Sequence, residues 1–449
     1  MLHFGTDGIR GDAATQITPD LTRALARAFV RVTGTGRVLI ARDGRASGTR
    51  IEDDLATGFA AEGAVCESAG LLPTPGLAVV SRVRDEWAAM ISASHNTWSD
   101  NGIKFFQPGG SKLSDEHQDA IEAELQALLA AGGPPAKAAH ALPLTGARAI
   151  YEAHLVDQLA EGALGGAKVV LDCANGAASE VAPEVFSEAG AQTVVLHASP
   201  DGRNINDACG STFPGAMQRA VVEHGATLGL AFDGDADRVL AADERGELVD
   251  GDQIMAIMAI ALREQAALPH DAIAVTVMSN LGLRLGLRDH GIDLVETPVG
   301  DRHVVAAMHE RGLALGGEQS GHIVFGGRAA TGDGILTGML LAARVIDSGR
   351  PLSRLAAVMT RLPQVLVNVR VATSGDPEDD AHVRAVVDQT VADLGETGRV
   401  LVRASGTEPV VRVMVEAATE SEAHAAANRI AEVIAKPPSA DLPTTPGET

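Results

Sequence analysis

The chain has 449 residues, more than a single hydrophobic core serves, so several domains are expected. Hydrophobic residues make up 45% of it, which excludes a disordered chain, and a formal net charge of −23 argues against nucleic acid or an anionic membrane surface as partner. The three cysteines, Cys66, Cys173 and Cys209, are widely spaced with no CxxC pair, which speaks against a zinc knuckle or a disulfide framework and for free thiols.

The first segment, Met1 to Asp7, has neither a basic stretch nor an apolar one, and no later segment is long and apolar enough to cross a bilayer. A cytoplasmic protein is expected. Thr18 then caps a helix with Pro19 at its first position, and Leu21, Ala24, Leu25, Ala28 and Phe29 recur at helical spacing. The run Val38 to Ala41 reads as a buried strand ending in the polar loop Arg42 to Arg45. The same order of apolar strand, polar loop and helix recurs at Lys168 to Gly176, Thr227 to Asp233 and Ile273 to Asn280, the pattern of α/β units. The segment from Gly132 to Pro143, rich in Ala, Gly and Pro, predicts a plain connection between helices. After Pro363 the valines alternate at 365, 367, 369 and 371 and again at 411, 413 and 415, which predicts antiparallel strands. Thr419 to Glu422 predicts a capping box opening a last helix that ends near Lys436. The expected architecture is α/β: three related α/β domains with mixed sheets over residues 1–150, 151–250 and 251–363, a smaller C-terminal α+β domain over 364–436, and a disordered tail over 437–449.

In α/β sheets, ligands bind beyond the carboxyl ends of the strands, so chemistry is sought in those loops. Asp233, Asp235 and Asp237 stand at alternate positions after an apolar run; in an extended segment their oxygens would converge, as a hard divalent cation requires. Glu244 falls at the twelfth place of an EF-hand count, but Arg238 stands where that loop needs glycine and a strand precedes it, so a strand-end metal loop is preferred. The segment Ile91 to Asn96 sets Ser92, Ser94, His95 and Asn96 at another strand end, which fits a nucleophile or a phosphate-bearing serine as well as a helix-capping turn, and Lys104 follows close behind. Gly317 to His322 mixes carboxylate, amide, hydroxyl and imidazole, a set that suits sugar hydroxyls. Arg403 to Pro409 combines Arg403, Ser405, Gly406 and Thr407, with Arg412 further on, donors that suit a phosphate. With a net charge of −23, such local cations carry more information than they would in a basic chain.

Taken together, FGTDGIRG (Phe4 to Gly11), ISASHN, DNGIKFF, DCANG, NIN with CGST, FDGDADR, TVMSNLGL, VGDR, GEQSGH and RASGTEP resemble the α-D-phosphohexomutase superfamily, and within it the phosphoglucosamine mutases, from Phe4 to about Lys436. The resemblance implies four domains around a central cleft. It implies a phosphorylated Ser94 and one Mg²⁺ per chain held by the Ser94 phosphate, Asp233, Asp235 and Asp237. It places Arg10, His95, Lys104, Arg238 and His322 in the catalytic set, with Lys104 and His322 both open as the general base. Gly300, Asp301, Glu318 and Ser320 would meet the sugar, and Arg403, Ser405, Gly406, Thr407 and Arg412 the non-reacting phosphate. The implied reaction interconverts glucosamine 6-phosphate and glucosamine 1-phosphate, with glucosamine 1,6-bisphosphate as intermediate and activator. The implied partner is a small phosphosugar, with a homodimer allowed and neither nucleic acid nor membrane. Gln319, where sister mutases usually carry Met, favours the amino sugar over glucose or mannose phosphates. One departure stands out: Thr97 replaces the family's usual proline after SHN and would loosen that loop.

Overall fold

The computed structural model describes residues 8–132, 137–371, 380–404 and 410–435. They form two compact units, one of Met1–Ser279 with Leu287–Val358, the other of Asn280–Gly286 with Met359–Thr449. The tail expected to be disordered lies outside the described residues.

The first unit holds three sheets built on one plan. The first contains β1 (Ile9–Asp12), β2 (Arg37–Arg42), β3 (Val65–Leu71), β4 (Trp87–Ile91), β5 (Asp100–Phe106) and β6 (Leu142–Pro143), in the order β1-β5-β4-β2-β3-β6. The second contains β7 (Lys168–Asp172), β8 (Gln192–Leu196), β9 (Leu228–Phe232), β10 (Val239–Ala242) and β11 (Leu248–Val249), in the order β11-β10-β9-β7-β8. The third contains β12 (Ala272–Thr276), β13 (Asp293–Thr297), β14 (Leu315–Gly317) and β15 (Ile323–Phe325), in the order β13-β12-β14-β15. In each, a parallel centre gives way to an antiparallel strand, at β4/β5, β9/β10 and β14/β15. The connection at that switch is the loop after β4, β9 or β14. These are the Ser94, Asp233 and Glu318 loops, so one topological device presents three of the four suspected segments.

Helices cover the sheets as the patterning predicts. Thr18 caps the helix Pro19–Thr33 through its side chain, and Phe29 on the buried face stacks on Phe105 with ring centroids 4.2 Å apart. The connection read between 132 and 143 is not plain: Leu142–Pro143 adds a short parallel strand beside β3. Proline is tolerated there because β6 is the sheet edge, where a missing N–H breaks no ladder. No helix among the described residues is long and apolar enough to cross a membrane.

Asp333 caps the helix Gly334–Ser348 and accepts the hydroxyl proton of Tyr151 at 3.0 Å, entirely out of water. Burial pushes its carboxyl up to about 6. The folded state therefore holds this proton more tightly than the unfolded chain does. The cost of the buried charge is full above pH 6, fades as pH falls toward 3.8 and is gone below it. Asp333→Asn, which keeps the capping oxygen, is expected to raise stability by up to about 3 kcal/mol above pH 6 and by nothing near pH 4. Melting curves of both proteins across that range check it; an advantage that grew toward acid would be the wrong sign.

The second unit is a small antiparallel sheet of β16 (Gln364–Arg370), β17 (Arg399–Ala404) and β18 (Val410–Glu416), in the order β16-β18-β17, packed on the helix Glu420–Ala435. The alternating valines Val365, Val369, Val411, Val413 and Val415 face that helix, which Thr419 and Glu422 cap reciprocally. Asn280 and Leu281 belong to this unit: both donate to the buried Glu416 carboxylate, at 3.0 and 3.1 Å. Asn280 and Leu281 of the TVMSNLGL segment thus have a structural role within this unit.

Candidate active site

Ser94 sits fully buried in the left-handed region, φ 50°, a conformation that costs a non-glycine residue energy and that the surroundings must impose. They do so from both sides. Its N–H donates to Ser92 Oγ at 2.8 Å, and Ser92 Oγ donates to Asp43 at 2.6 Å. Arg45, fully buried and paired with Asp43 at 2.9 Å, donates to the carbonyl oxygens of Ser94 at 2.9 Å, Asn96 at 2.8 Å, Asp100 at 3.0 Å and Thr97. Asn206 adds two more donations, to Ser94 O at 2.9 Å and Asn96 O at 3.0 Å. The loop that Thr97 was expected to loosen is held by this clamp on its carbonyls, a restraint that works without proline.

The Ser94 hydroxyl donates to Asp233 Oδ2 at 2.6 Å, and His95 Nδ1 lies 3.4 Å from Ser94 Oγ. The two loops meet backbone to backbone: a Cβ on Gly234 would stand 2.6 Å from Ser94 O. Asp233, Asp235 and Asp237 are buried with donor oxygens within 4.8 Å of one another. They do not converge as the extended segment expected from their spacing; the loop turns, with Ala236 at φ 58°. Neither the strand β9 before it nor β10 after it leaves room for an EF-hand.

Lys104, from β5, reaches Asp235 Oδ2 at 2.9 Å and Asp237 Oδ2 at 3.4 Å. Thr74 donates its hydroxyl to Asp235 Oδ2 at 2.6 Å. His322 lies with Nδ1 3.7 Å from Asp237 and Nε2 3.3 Å from Asp301, which also pairs with Lys112. Gly332 N–H donates to His322 Nε2 at 3.0 Å, which sets the neutral ring with its proton on the Asp237 side. Glu318 accepts from Gly300 N–H at 3.2 Å and from the Ser320 hydroxyl at 3.3 Å. Gln319 turns instead to Asp250, the helix cap, at 3.4 Å.

The electrostatics of so dry a cluster are opposed. Burial, then Asp237 and Asp235, hold Asp233 well above the usual carboxylate range. Burial works the same way on the other two, but Lys104 and Thr74 outweigh it at Asp235, and Lys104, His322 and Arg238 outweigh it at Asp237, so both stay low. Burial, Arg238 and Arg10 push the His95 imidazole down to about 4, so it is neutral above that pH. At His322 burial is outweighed by Asp237 and Asp301, which favour a second proton on the ring. Asp235 Oδ1 and Asp237 Oδ1 are buried without a hydrogen-bond partner. Orphaned oxygens in an all-carboxylate cluster fit a hard divalent cation such as Mg²⁺.

In the second unit, Arg403 on β17 stands directly opposite Arg412 on β18. Burial and the Arg412 charge push the Arg403 guanidinium below its ordinary value. Two like charges in register repel unless an anion lies between them. Ser405, Gly406 and Thr407 lie outside the described residues.

Reasoning from sequence singled out the loop Arg42 to Arg45 and the NIN motif but gave Asp43, Arg45 and Asn206 no role at the site, and it passed over Thr74, whose only signal was a threonine before a proline.

The chain matches the descriptions phosphoglucomutase/phosphomannomutase alpha/beta/alpha domain I over residues 1–131, domain II over 149–246, domain III over 250–362 and the C-terminal domain over 366–433. A phosphoglucosamine mutase from an Arthrobacter species is 49% identical over 440 residues, covering 96% of this chain and 97% of that one. One from Salinispora tropica is 49% identical over 443 residues, covering 96% and 98%. Among solved structures, a phosphoglucomutase/phosphomannomutase family protein from Burkholderia thailandensis has a TM-score of 0.78 at 23% identity, covering 98% of this chain and 99% of that one. The Aspergillus fumigatus N-acetylphosphoglucosamine mutase in complex with GlcNAc-6P and magnesium has a TM-score of 0.67 at 20% identity, covering 97% and 95%. At these identities the two structures speak for the fold; with four domain descriptions matched in chain order and near-half identity to full-length relatives, the chain belongs to the phosphoglucomutase/phosphomannomutase family.

Proposed function

We propose that the chain is a cytoplasmic, Mg²⁺-dependent phosphoglucosamine mutase that interconverts glucosamine 6-phosphate and glucosamine 1-phosphate through a phosphorylated Ser94. One observation carries the reading: the strained, buried Ser94 donates its hydroxyl into the Asp233, Asp235 and Asp237 cluster, beside Lys104 and His322. Near-half identity to phosphoglucosamine mutases supports the substrate.

Asp233, Asp235 and Asp237 would hold one Mg²⁺ together with the Ser94 phosphate, and the ion would neutralise charge on the transferring group. The substrate's free hydroxyl attacks phosphorus, the bond from phosphorus to Ser94 Oγ breaks, and a bisphosphate results. The hydroxyl proton passes to Lys104 or His322, whichever enters the step in its neutral form. After the bisphosphate turns round, Ser94 Oγ attacks the other phosphoryl group and the second sugar phosphate leaves. Arg45 and Asn206 keep Ser94 aimed, and Arg10, Arg238 and His95 line the phosphoryl side. Glu318 and Ser320, with Gly300 and Asp301 beside them, meet sugar hydroxyls. Arg403 and Arg412, with Ser405, Gly406 and Thr407, grip the non-reacting phosphate. Glucosamine 1,6-bisphosphate serves as activator.

The test is product formation from glucosamine 6-phosphate with Mg²⁺ and a trace of bisphosphate, beside glucose and mannose phosphates. The amino sugar is expected to have the highest kcat/KM. A faster glucose or mannose phosphate would move the substrate to the sister enzymes, and inorganic phosphate released in step with substrate loss would make the protein a phosphatase. Stripping divalent cations with EDTA is expected to abolish turnover, and Mg²⁺ to restore it; activity that survives chelation would remove the metal from the scheme.

A further inference from the structure

Among the described residues, two groups of three metal-ligating side chains bring donor atoms within 4.8 Å of one another. One is the aspartate cluster above. The other is Asp172, His197 and Cys209, none of which takes part in the reaction proposed here. They come from separate places in the second sheet's domain. Asp172 ends β7, and His197 follows the end of β8, whose last residue, Leu196, pairs in register with Asp172. Cys209 belongs to the long loop after β8, which Asn206 N–H ties back to Ala174 O at 3.0 Å.

Two polar atoms of this cluster, Asp172 Oδ2 and His197 Nδ1, are buried without a hydrogen-bond partner. Asp172 is fully buried; Oδ1 accepts the Ala174 N–H at 3.0 Å, but Oδ2 has no hydrogen-bond partner. His197 Nδ1 lies 3.0 Å from Asp172 Oδ1, yet the two make no hydrogen bond. The Cys209 thiol is buried, and its sulfur accepts a long hydrogen bond from the Asn175 amide at 3.9 Å. His197 itself stands at φ 48°, a left-handed conformation that is costly for a non-glycine residue. A buried carboxylate oxygen without a partner costs free energy, and a cation at the meeting point of the three side chains would remove that cost.

We propose that Asp172, His197 and Cys209 bind a divalent transition-metal ion of the Zn²⁺ class. Thiolate, imidazole and carboxylate form a donor set that prefers such an ion to Mg²⁺. The His197 side chain is 34% exposed, which gives the ion access and leaves a coordination position for water. Binding displaces the Cys209 proton, so affinity rises with pH. The ion joins the ends of β7 and β8 to the loop that carries Asn206, the residue that holds Ser94 O and Asn96 O. Its role is to position the nucleophile's support, at a distance from the reaction.

The test is a Co²⁺ titration of the reduced full-length protein saturated with Mg²⁺, which keeps the all-oxygen cluster occupied. A thiolate-to-cobalt charge-transfer absorption is expected to rise to saturation and to be erased by added Zn²⁺. It is expected to persist in Cys66→Ser and Cys173→Ser and to vanish in Cys209→Ser. His197→Ala, at a side chain 34% exposed, is expected to shift the titration midpoint to higher cobalt by about tenfold or more. No band in the unmodified protein, a band that survives Cys209→Ser, or a midpoint unmoved by His197→Ala would overturn the proposal. Should Cys209→Ser lose its circular dichroism, the His197→Ala midpoint decides alone.

Discussion

Replacing Ser94 by alanine is expected to lower kcat/KM for the mutase reaction by on the order of 10⁴ or more while leaving the fold and substrate binding in place. The size follows from the role: among the described residues the Ser94 hydroxyl is the one that donates to Asp233, so nothing inherits the phosphoryl group. The fold survives because alanine keeps the backbone bonds from Arg45 and Asn206 that impose the φ of 50°. Intact-mass measurement gives a second readout. The unmodified protein incubated with bisphosphate is expected to carry one phosphate-mass adduct, and Ser94→Ala none. Full turnover by Ser94→Ala, or an adduct that persists on it, would end the phosphoserine scheme.

The second large effect is expected at Arg45. Its pair with Asp43 is entirely buried, and burial still holds the Asp43 carboxyl above its ordinary value despite Arg45 and Ser92. The pair therefore does not repay its own desolvation in full, and its value lies in what the guanidinium grips. Arg45→Met leaves Asp43 buried without its cation and takes the guanidinium donor from four carbonyl oxygens, leaving those of Ser94 and Asn96 to Asn206, so a loss of about 3–5 kcal/mol of stability is expected. Removing both charges, as Asp43→Leu with Arg45→Met, is expected to cost less than Arg45→Met alone, the reverse of additive behaviour. Arg45→Lys keeps a charge beside Asp43 but cannot fork onto the carbonyls of Ser94, Asn96, Thr97 and Asp100. It is expected to spare most of the stability and to lower kcat by about a hundredfold through a misplaced Ser94. Denaturation curves and steady-state kinetics on the three variants check this. A double variant less stable than Arg45→Met, or an Arg45→Lys protein with unchanged kcat, would remove Arg45 from the role of clamp.

Much of the fold was legible because its signals are local. Thr18 with Pro19, the apolar run after Arg37 and the alternating valines of β16 and β18 each report a backbone periodicity that short-range sterics and burial dictate. The edge strand Leu142–Pro143 was not legible, because a two-residue strand has no period of its own and exists only where β3 offers a free edge. The aspartate loop was picked out for a reason that was partly wrong. Alternate aspartates suggested an extended run, whereas a turn at Ala236 brings their oxygens together.

By itself the sequence determined the α/β architecture, the loops to watch and the residue types in them, since strand, loop and helix follow from nearest neighbours along the chain and the motifs were intact. It could name Ser94, Lys104, Asp233, Asp235, Asp237 and His322, but only tertiary structure decided that Lys104 faces Asp235, that His322 is set between Asp237 and Asp301, and that Arg45, Thr74 and Asn206 belong with them. The same holds for Asp172, His197 and Cys209, separated along the chain and joined by the register of β7 and β8. The physical reason is common to all: these contacts are made between elements far apart in sequence, and their energies depend on burial, a property that no residue has until the chain has folded.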